Sequence, residues 1–163
     1  MIKTGTKILI VTSIYIFTAD LVSNVATAGS RVAVYAVVDT FPFDVQQNDV
    51  IKFGDVKTNI GGAYNPQTGI FTCPVNGVYM FFVNLRIVSH KTAEGELVRN
   101  GIPLMRIYDS GDSYDAAGTN MAVIHVNAGD RVWFKLHGRY TDGSGIAGII
   151  DGPWTSFSAV LLF

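Results

Sequence analysis

The sequence predicts an all-β fold, antiparallel throughout, with its strands stacked as a sandwich or barrel. Three observations carry that expectation. The first is the stretch 59–82, NIGGAYNPQTGIFTCPVNGVYMFF. There, two turn signals, Asn65-Pro66-Gln67-Thr68-Gly69 and Pro74-Val75-Asn76-Gly77, bracket short aromatic and β-branched runs. Proline presets φ for a turn, glycine tolerates positive φ, and asparagine enters the left-handed region. Strands this close together leave no room for a parallel crossover, which takes about a dozen residues. The second observation is period-two alternation beyond residue 29, where helical periodicity is nearly absent. The third is a series of turn clusters at regular intervals: Gln46–Asp49, Arg99-Asn100-Gly101, Asp109–Asp112, Asn127–Asp130 and Thr141–Gly145. Short strands punctuated in this way imply a sandwich or barrel.

The strands can be taken in order. Val32, Val34 and Ala36 share one face of a first strand. Three strands follow within residues 59–82. In the third, Gly77–Val88, the alternation places Tyr79, Phe81, Val83, Leu85 and Ile87 on one face and Val78, Met80 and Phe82 on the other. That strand therefore needs cover on both sides at its start. Later, Val132, Phe134 and Leu136 alternate with Arg131, Trp133 and Lys135. The last strand carries Phe157, Ala159, Leu161 and Phe163 on one face. Its final four residues are all apolar, Val160-Leu161-Leu162-Phe163, and such an end frays unless both faces are covered.

Composition fits this reading. Of 163 residues, 48% are apolar and 15% charged, which suits a packed core rather than a disordered chain. Seventeen glycines, ten phenylalanines, seven tyrosines and two tryptophans favour short strands and tight turns. The formal net charge is −1 and no run of four basic residues occurs, so nothing points to a nucleic-acid partner.

The N-terminus differs from the rest. Lys3 and Lys7 precede an apolar run, Ile8–Phe17, and Ala26-Thr27-Ala28 supplies a small-residue cleavage site. This is the pattern of a secretory signal peptide over residues 1–28. Asp20, Ser23 and Asn24 interrupt the run well short of the roughly 20 apolar residues a membrane span requires. The expected product is a secreted globular domain, residues 29–163, with no membrane span. Its single cysteine, Cys73, excludes an intrachain disulfide framework and reads as a buried thiol at a strand end.

The same residues resemble the C1q domain of the C1q/TNF-like superfamily over residues 30–163. Phe53, Asn59, Gly61, Tyr64, Thr68-Gly69, Phe71, Pro74, Gly77, Tyr79 and Phe81 fall in the family's order and spacing, as does Asn100-Gly101. Ala122–Trp133 resembles the family's apolar strand, Gly-Asp turn and following Val-aromatic. Phe157-Ser158-Ala159 resembles its closing Phe-Ser-Gly, with Ala159 where the family usually has glycine. The resemblance implies a jelly-roll β-sandwich of about ten strands, usually a homotrimer. No Gly-X-Y or heptad stalk precedes the domain, which is similar to the secreted stalkless type common in bivalve molluscs.

Little in the sequence suggests catalysis. No Gly-x-Ser-x-Gly elbow, His-Glu-x-x-His or phosphate loop occurs. His125 sits in mid-strand and reads as an ordinary strand histidine. Asp109, Asp112 and Asp115 recur at i, i+3 and i+6 in a Ser/Gly segment. They suit either a solvated polar loop or a Ca²⁺ ion, which takes oxygen ligands, and some C1q relatives bind Ca²⁺. Tyr108 and Tyr114 flank Asp112, and Arg139-Tyr140-Thr141-Asp142 forms a similar group. Flat aromatics beside carboxylates and a guanidinium suit a sugar: the ring stacks on the pyranose face and the charged groups take hydroxyls. Those six residues, Tyr108, Asp112, Tyr114, Arg139, Tyr140 and Asp142, are the expected ligand site. With the resemblance, they imply a secreted, non-enzymatic, lectin-like protein of innate immunity that binds microbial or cell-surface glycans. Two alternatives stay open: a TNF/adiponectin-like signalling ligand, and a metal-binding protein of extracellular fluid or matrix.

Overall fold

The 65–69 turn follows from its residues. The Asn65 side chain accepts the Gln67 N–H at 2.9 Å, and its carbonyl accepts the Gly69 N–H at 2.9 Å. This Asx turn reverses the chain between two short strands. The computed structural model describes residues 31–39, 47–111, 113–137 and 152–163. Val32–Phe163 make one compact unit. Its strands are β1 (Ala33–Val38), β2 (Asp55–Ile60), β3 (Tyr64–Asn65), β4 (Ile70–Thr72), β5 (Gly77–Ile87), β6 (Lys91–Arg99), β7 (Ile102–Gly111), β8 (Ala116–Val126), β9 (Arg131–Leu136) and β10 (Gly152–Leu161).

Two five-stranded antiparallel sheets result, ordered β2-β1-β10-β5-β8 and β3-β4-β9-β6-β7. The chain passes repeatedly from one sheet to the other, which is the winding of a jelly roll. The alternation read from the sequence sets the core. Tyr79, Phe81, Val83, Leu85 and Ile87 are fully buried, facing Val132, Phe134 and Leu136 across the sandwich. Ala159, in the family's glycine position, is also buried, so its methyl group is accommodated. Gly95 on β6 is a close-approach glycine: a Cβ there would lie 2.1 Å from the Phe134 ring.

Side-chain hydrogen bonds explain several motif residues. Asn59 brackets Tyr64, donating from Nδ2 to its carbonyl at 2.8 Å and accepting its N–H at 3.1 Å. The Tyr64 hydroxyl accepts the Phe53 N–H at 3.0 Å, and burial pushes that phenol up to about 12. Asn100 and Gly101 both have positive φ, 51° and 86°, the requirement of a two-residue type I′ hairpin. That hairpin is stitched to the Gly129-Asp130 turn. Asp130 accepts from the Asn127 N–H at 3.0 Å and the Asn100 side chain at 2.7 Å, and these bonds hold its carboxyl below the usual range. Cys73 is a buried free thiol bonded to the Val75 carbonyl, and burial raises its pKa.

Asp109, Ser110 and Gly111 depart from the expected turn. β7 runs through Gly111, with Ser110 opposite Thr92 and the two hydroxyls 3.0 Å apart. Cross-strand pairing with β6 outweighs local turn propensity for Asp109 and Ser110. Phe163 differs as well, standing 82% exposed despite its phase with Phe157 and Ala159.

The outward face of the second sheet holds a buried charge cluster that the sequence did not announce. Glu96 is 3% exposed, with Lys135 Nζ at 3.0 Å from one oxygen and Arg106 Nε at 3.1 Å from the other. Beside it, Glu94 meets His137 Nδ1 at 3.2 Å. Burial alone would raise the Glu96 pKa, but hydrogen bonds from Lys135 and Arg106 outweigh it and set it below the ordinary 4.5. A depressed carboxylate stabilises the fold above its unfolded pKa and loses that contribution as pH falls through the folded value. Glu96→Gln is therefore expected to cost about 1–3 kcal/mol at pH 7. The gap to wild type should narrow below pH 4.5, as followed by urea denaturation at several pH values. A gap unchanged at acid pH would contradict this role.

Candidate functional site

Of the six expected ligand residues, the two described ones, Tyr108 and Tyr114, lie in different places. Tyr108 is on β7 rather than in a loop, opposite Glu94, and alternates with buried Met105 and Ile107. It therefore points outward from the second sheet, 56% exposed. Tyr114 and Asp115 lie in the β7–β8 connection, where Tyr114 is the most exposed large apolar side chain among the described residues, at 84%. Asp112, Arg139, Tyr140 and Asp142 lie outside the described residues.

Of the carboxylates expected to bind metal, Asp109 and Asp115 are described, and both have other partners. Asp109 accepts the Ser110 N–H at 2.7 Å. Asp115 accepts the Ser89 N–H at 3.0 Å and faces the Arg86 guanidinium at 3.5 Å. Among the described residues, no three His, Cys, Asp or Glu side chains converge on a metal position. A guanidinium beside Asp115 is also a poor neighbour for a divalent cation.

Asp115 leads to a cluster that the sequence reading passed over. Alternation on β5 points Leu85 and Ile87 inward and Arg86 outward, opposite Ala117 on β8. Arg86 lies over the Trp154 ring, 4.4 Å from its centroid. Trp154 gets there through a bulge. β1 pairs Val37 with Ser156 and Val38 with Gly152, so Pro153, Trp154 and Thr155 have no partner on β1. A bulge re-aims a side chain at a sheet end. This one is pinned: Asn84 Nδ2 donates to the Trp154 carbonyl, and the Arg86 N–H donates to Thr155 Oγ1 at 3.2 Å. Trp154 remains 54% exposed. The available signal was Gly152-Pro153 at a strand head, a combination that marks a bulge.

The same sheet presents an apolar outward face. Cross-strand pairs Met80–Val123 and Phe82–Met121 join β5 to β8, and Val160 lies beside Met80. Tyr35, Met121 and Val123 are 37%, 52% and 51% exposed. One row further along β5 the pairing becomes Asn84–Thr119, and the face turns polar. His125 is exposed at the opposite end, paired with Val78.

The C1q domain model matches residues 33–162. Human multimerin-2 is 32% identical over 136 residues, 83% of this chain and 13% of multimerin-2. Complement C1q tumor necrosis factor-related protein 3 of Mus musculus is 34% identical over 117 residues, 64% of this chain and 45% of that protein. The chain thus spans less than half the length of these relatives. Among solved structures, the globular domain of zebrafish complement 1qA superposes with a TM-score of 0.68 at 21% identity, covering 82% of this chain and 98% of that one. Murine APRIL superposes with a TM-score of 0.61 at 18% identity, covering 82% and 100%. At such identities the likeness is one of fold.

Proposed function

The chain belongs to the C1q domain family, whose members are non-enzymatic, and on that premise we propose a secreted homotrimer that binds glycans of microbial or cell surfaces. Residues 1–28 act as the signal peptide. The observation that carries the proposal is the apolar outward face of the β2-β1-β10-β5-β8 sheet. Contiguous apolar patches of this kind mark interaction surfaces. A second and third copy of this chain cover that face, since C1q/TNF domains typically trimerise.

Trimerisation gives the recognition mechanism. Three weak sites on one body gain avidity on a repetitive surface, by about 10²–10⁴ when geometry allows simultaneous engagement. The loop end, with Tyr114 and Asp115 among its described residues, carries those sites, because loops on a rigid sandwich can vary without disturbing the core. The test is a glycan array probed with residues 29–163, with and without chelator, alongside sedimentation. A trimer that binds several glycans weakly and multivalently is expected, and a monomer at micromolar concentration would overturn the assembly. The chelator arm tests Ca²⁺ at Asp109, Asp112 and Asp115. A second reading, an extracellular signalling ligand, draws on the 34% identity to a tumor necrosis factor-related protein. One receptor bound at nanomolar affinity, with a blank array, would favour it.

A further inference from the structure

We propose that Trp154, Arg86 and Asp115 form a subsite for a neutral pyranose, which locates the glycan-binding reading above on specific residues and rests on it. The fold goes to some length to present this tryptophan. A three-residue bulge lifts it out of register, Asn84 and Thr155 pin the bulge, and Thr155 is fully buried. Arg86 lies over the indole at 4.4 Å from its centroid, and the residue stays 54% exposed. A half-exposed indole held against a guanidinium offers flat apolar ring surface to a ligand. The C–H-bearing face of a pyranose ring matches such a platform.

The charges around the platform select the ligand class. Arg86 and Asp115 side chains are 31% and 38% exposed and 3.5 Å apart. A free anion approaching Arg86 meets the Asp115 carboxylate, and a cation approaching Asp115 meets Arg86. A hydroxyl suits both, since it accepts from the guanidinium and donates to the carboxylate. Asp115 keeps acceptor capacity beyond the Ser89 N–H it already receives. The site therefore favours uncharged sugars over uronic acids or amines. Its place on the sheet keeps it apart from the assembly face. Arg86 lies two outward positions beyond Phe82 on β5, with the polar Asn84–Thr119 row between. That separation is about 13 Å at the rise of a strand.

The chain has two tryptophans, Trp133 and Trp154, so Trp133→Phe leaves Trp154 as a single fluorescent reporter. N-acetyl-D-glucosamine, D-galactose, D-mannose and D-glucuronate serve as probes, free in solution and coupled to beads. A saturable change in Trp154 emission with at least one neutral sugar is expected, little affected by added NaCl and absent with glucuronate. Trp154→Ala should still sediment as a trimer while losing at least tenfold in capture on beads carrying that sugar. Arg86→Lys, which removes the planar brace but keeps the charge, should fall between the two. If the Trp154→Ala trimer is captured as well as the parent, the subsite is wrong and the glycan-binding reading stands. If glucuronate alone binds, or Trp154→Ala sediments as a monomer, the subsite is also wrong. If the parent protein captures none of these sugars and is blank on the glycan array, both fall together.

Discussion

Phe81→Ala is expected to lower the melting temperature on the order of 10–20 °C, measured against wild type at one protein concentration. The phenyl ring is fully buried and meets Phe71 edge-on at 5.4 Å, with Tyr79 at 6.1 Å and Phe157 at 6.4 Å. Those neighbours have little freedom to fill a void. Phe157 is held by Phe53 at 5.7 Å and Tyr64 at 5.5 Å, and Tyr64 is fixed in turn by its bonds to Phe53 and Asn59. A cavity that cannot collapse puts the cost toward the upper end of about 3–5 kcal/mol. Total stability for a domain is only about 5–15 kcal/mol. Phe81→Leu should recover part of the loss. A Phe81→Ala protein within about 1 kcal/mol of wild type would show that the aromatic cluster repacks freely.

Met121→Asp is expected to do the opposite: preserve the subunit and abolish the assembly. Met121 is 52% exposed on the single chain, beside Phe82, so an aspartate there stays hydrated in a monomer. In a trimer closed over this face, each copy would bury an unpaired carboxylate, at several kcal/mol apiece. Far-UV circular dichroism should be unchanged while sedimentation shifts from trimer to monomer at micromolar concentration. Capture on glycan-coated beads should fall with it, by about 10²–10⁴, because avidity disappears while each site survives. A Met121→Asp protein that still sediments as a trimer would place the subunit contact elsewhere.

The fold was largely legible because its signals are local. Alternation on β5 gave the buried face residue by residue, and Asn100-Gly101 gave a hairpin since positive φ at both positions admits few other residues. Asn59 and Tyr64 were legible as a motif, but their mutual hydrogen bonds were not. The site was less legible because its logic is non-local. Arg86 and Trp154 are far apart in sequence, and only the strand neighbours β5 and β10 bring them together. Glu96 was missed for the same reason, since its partners come from β7 and β9. Asp109 was assigned to a turn because composition near Gly111 says turn, while pairing with β6 keeps it in a strand.

The order of strands in the first sheet has a consequence for how this molecule comes into being. β10 is the last of the ten strands to be synthesised, yet it occupies the central place, between β1 and β5. Until it arrives, β1 and β2 have no connection to β5 and β8 within their sheet, and the core lacks Phe157. An emerging chain therefore carries a sheet split down its middle, with two unsatisfied edges and an open aromatic core. Chaperone binding is most needed in that interval. A stop codon or frameshift within β10 would leave a protein without the strand that joins its two halves.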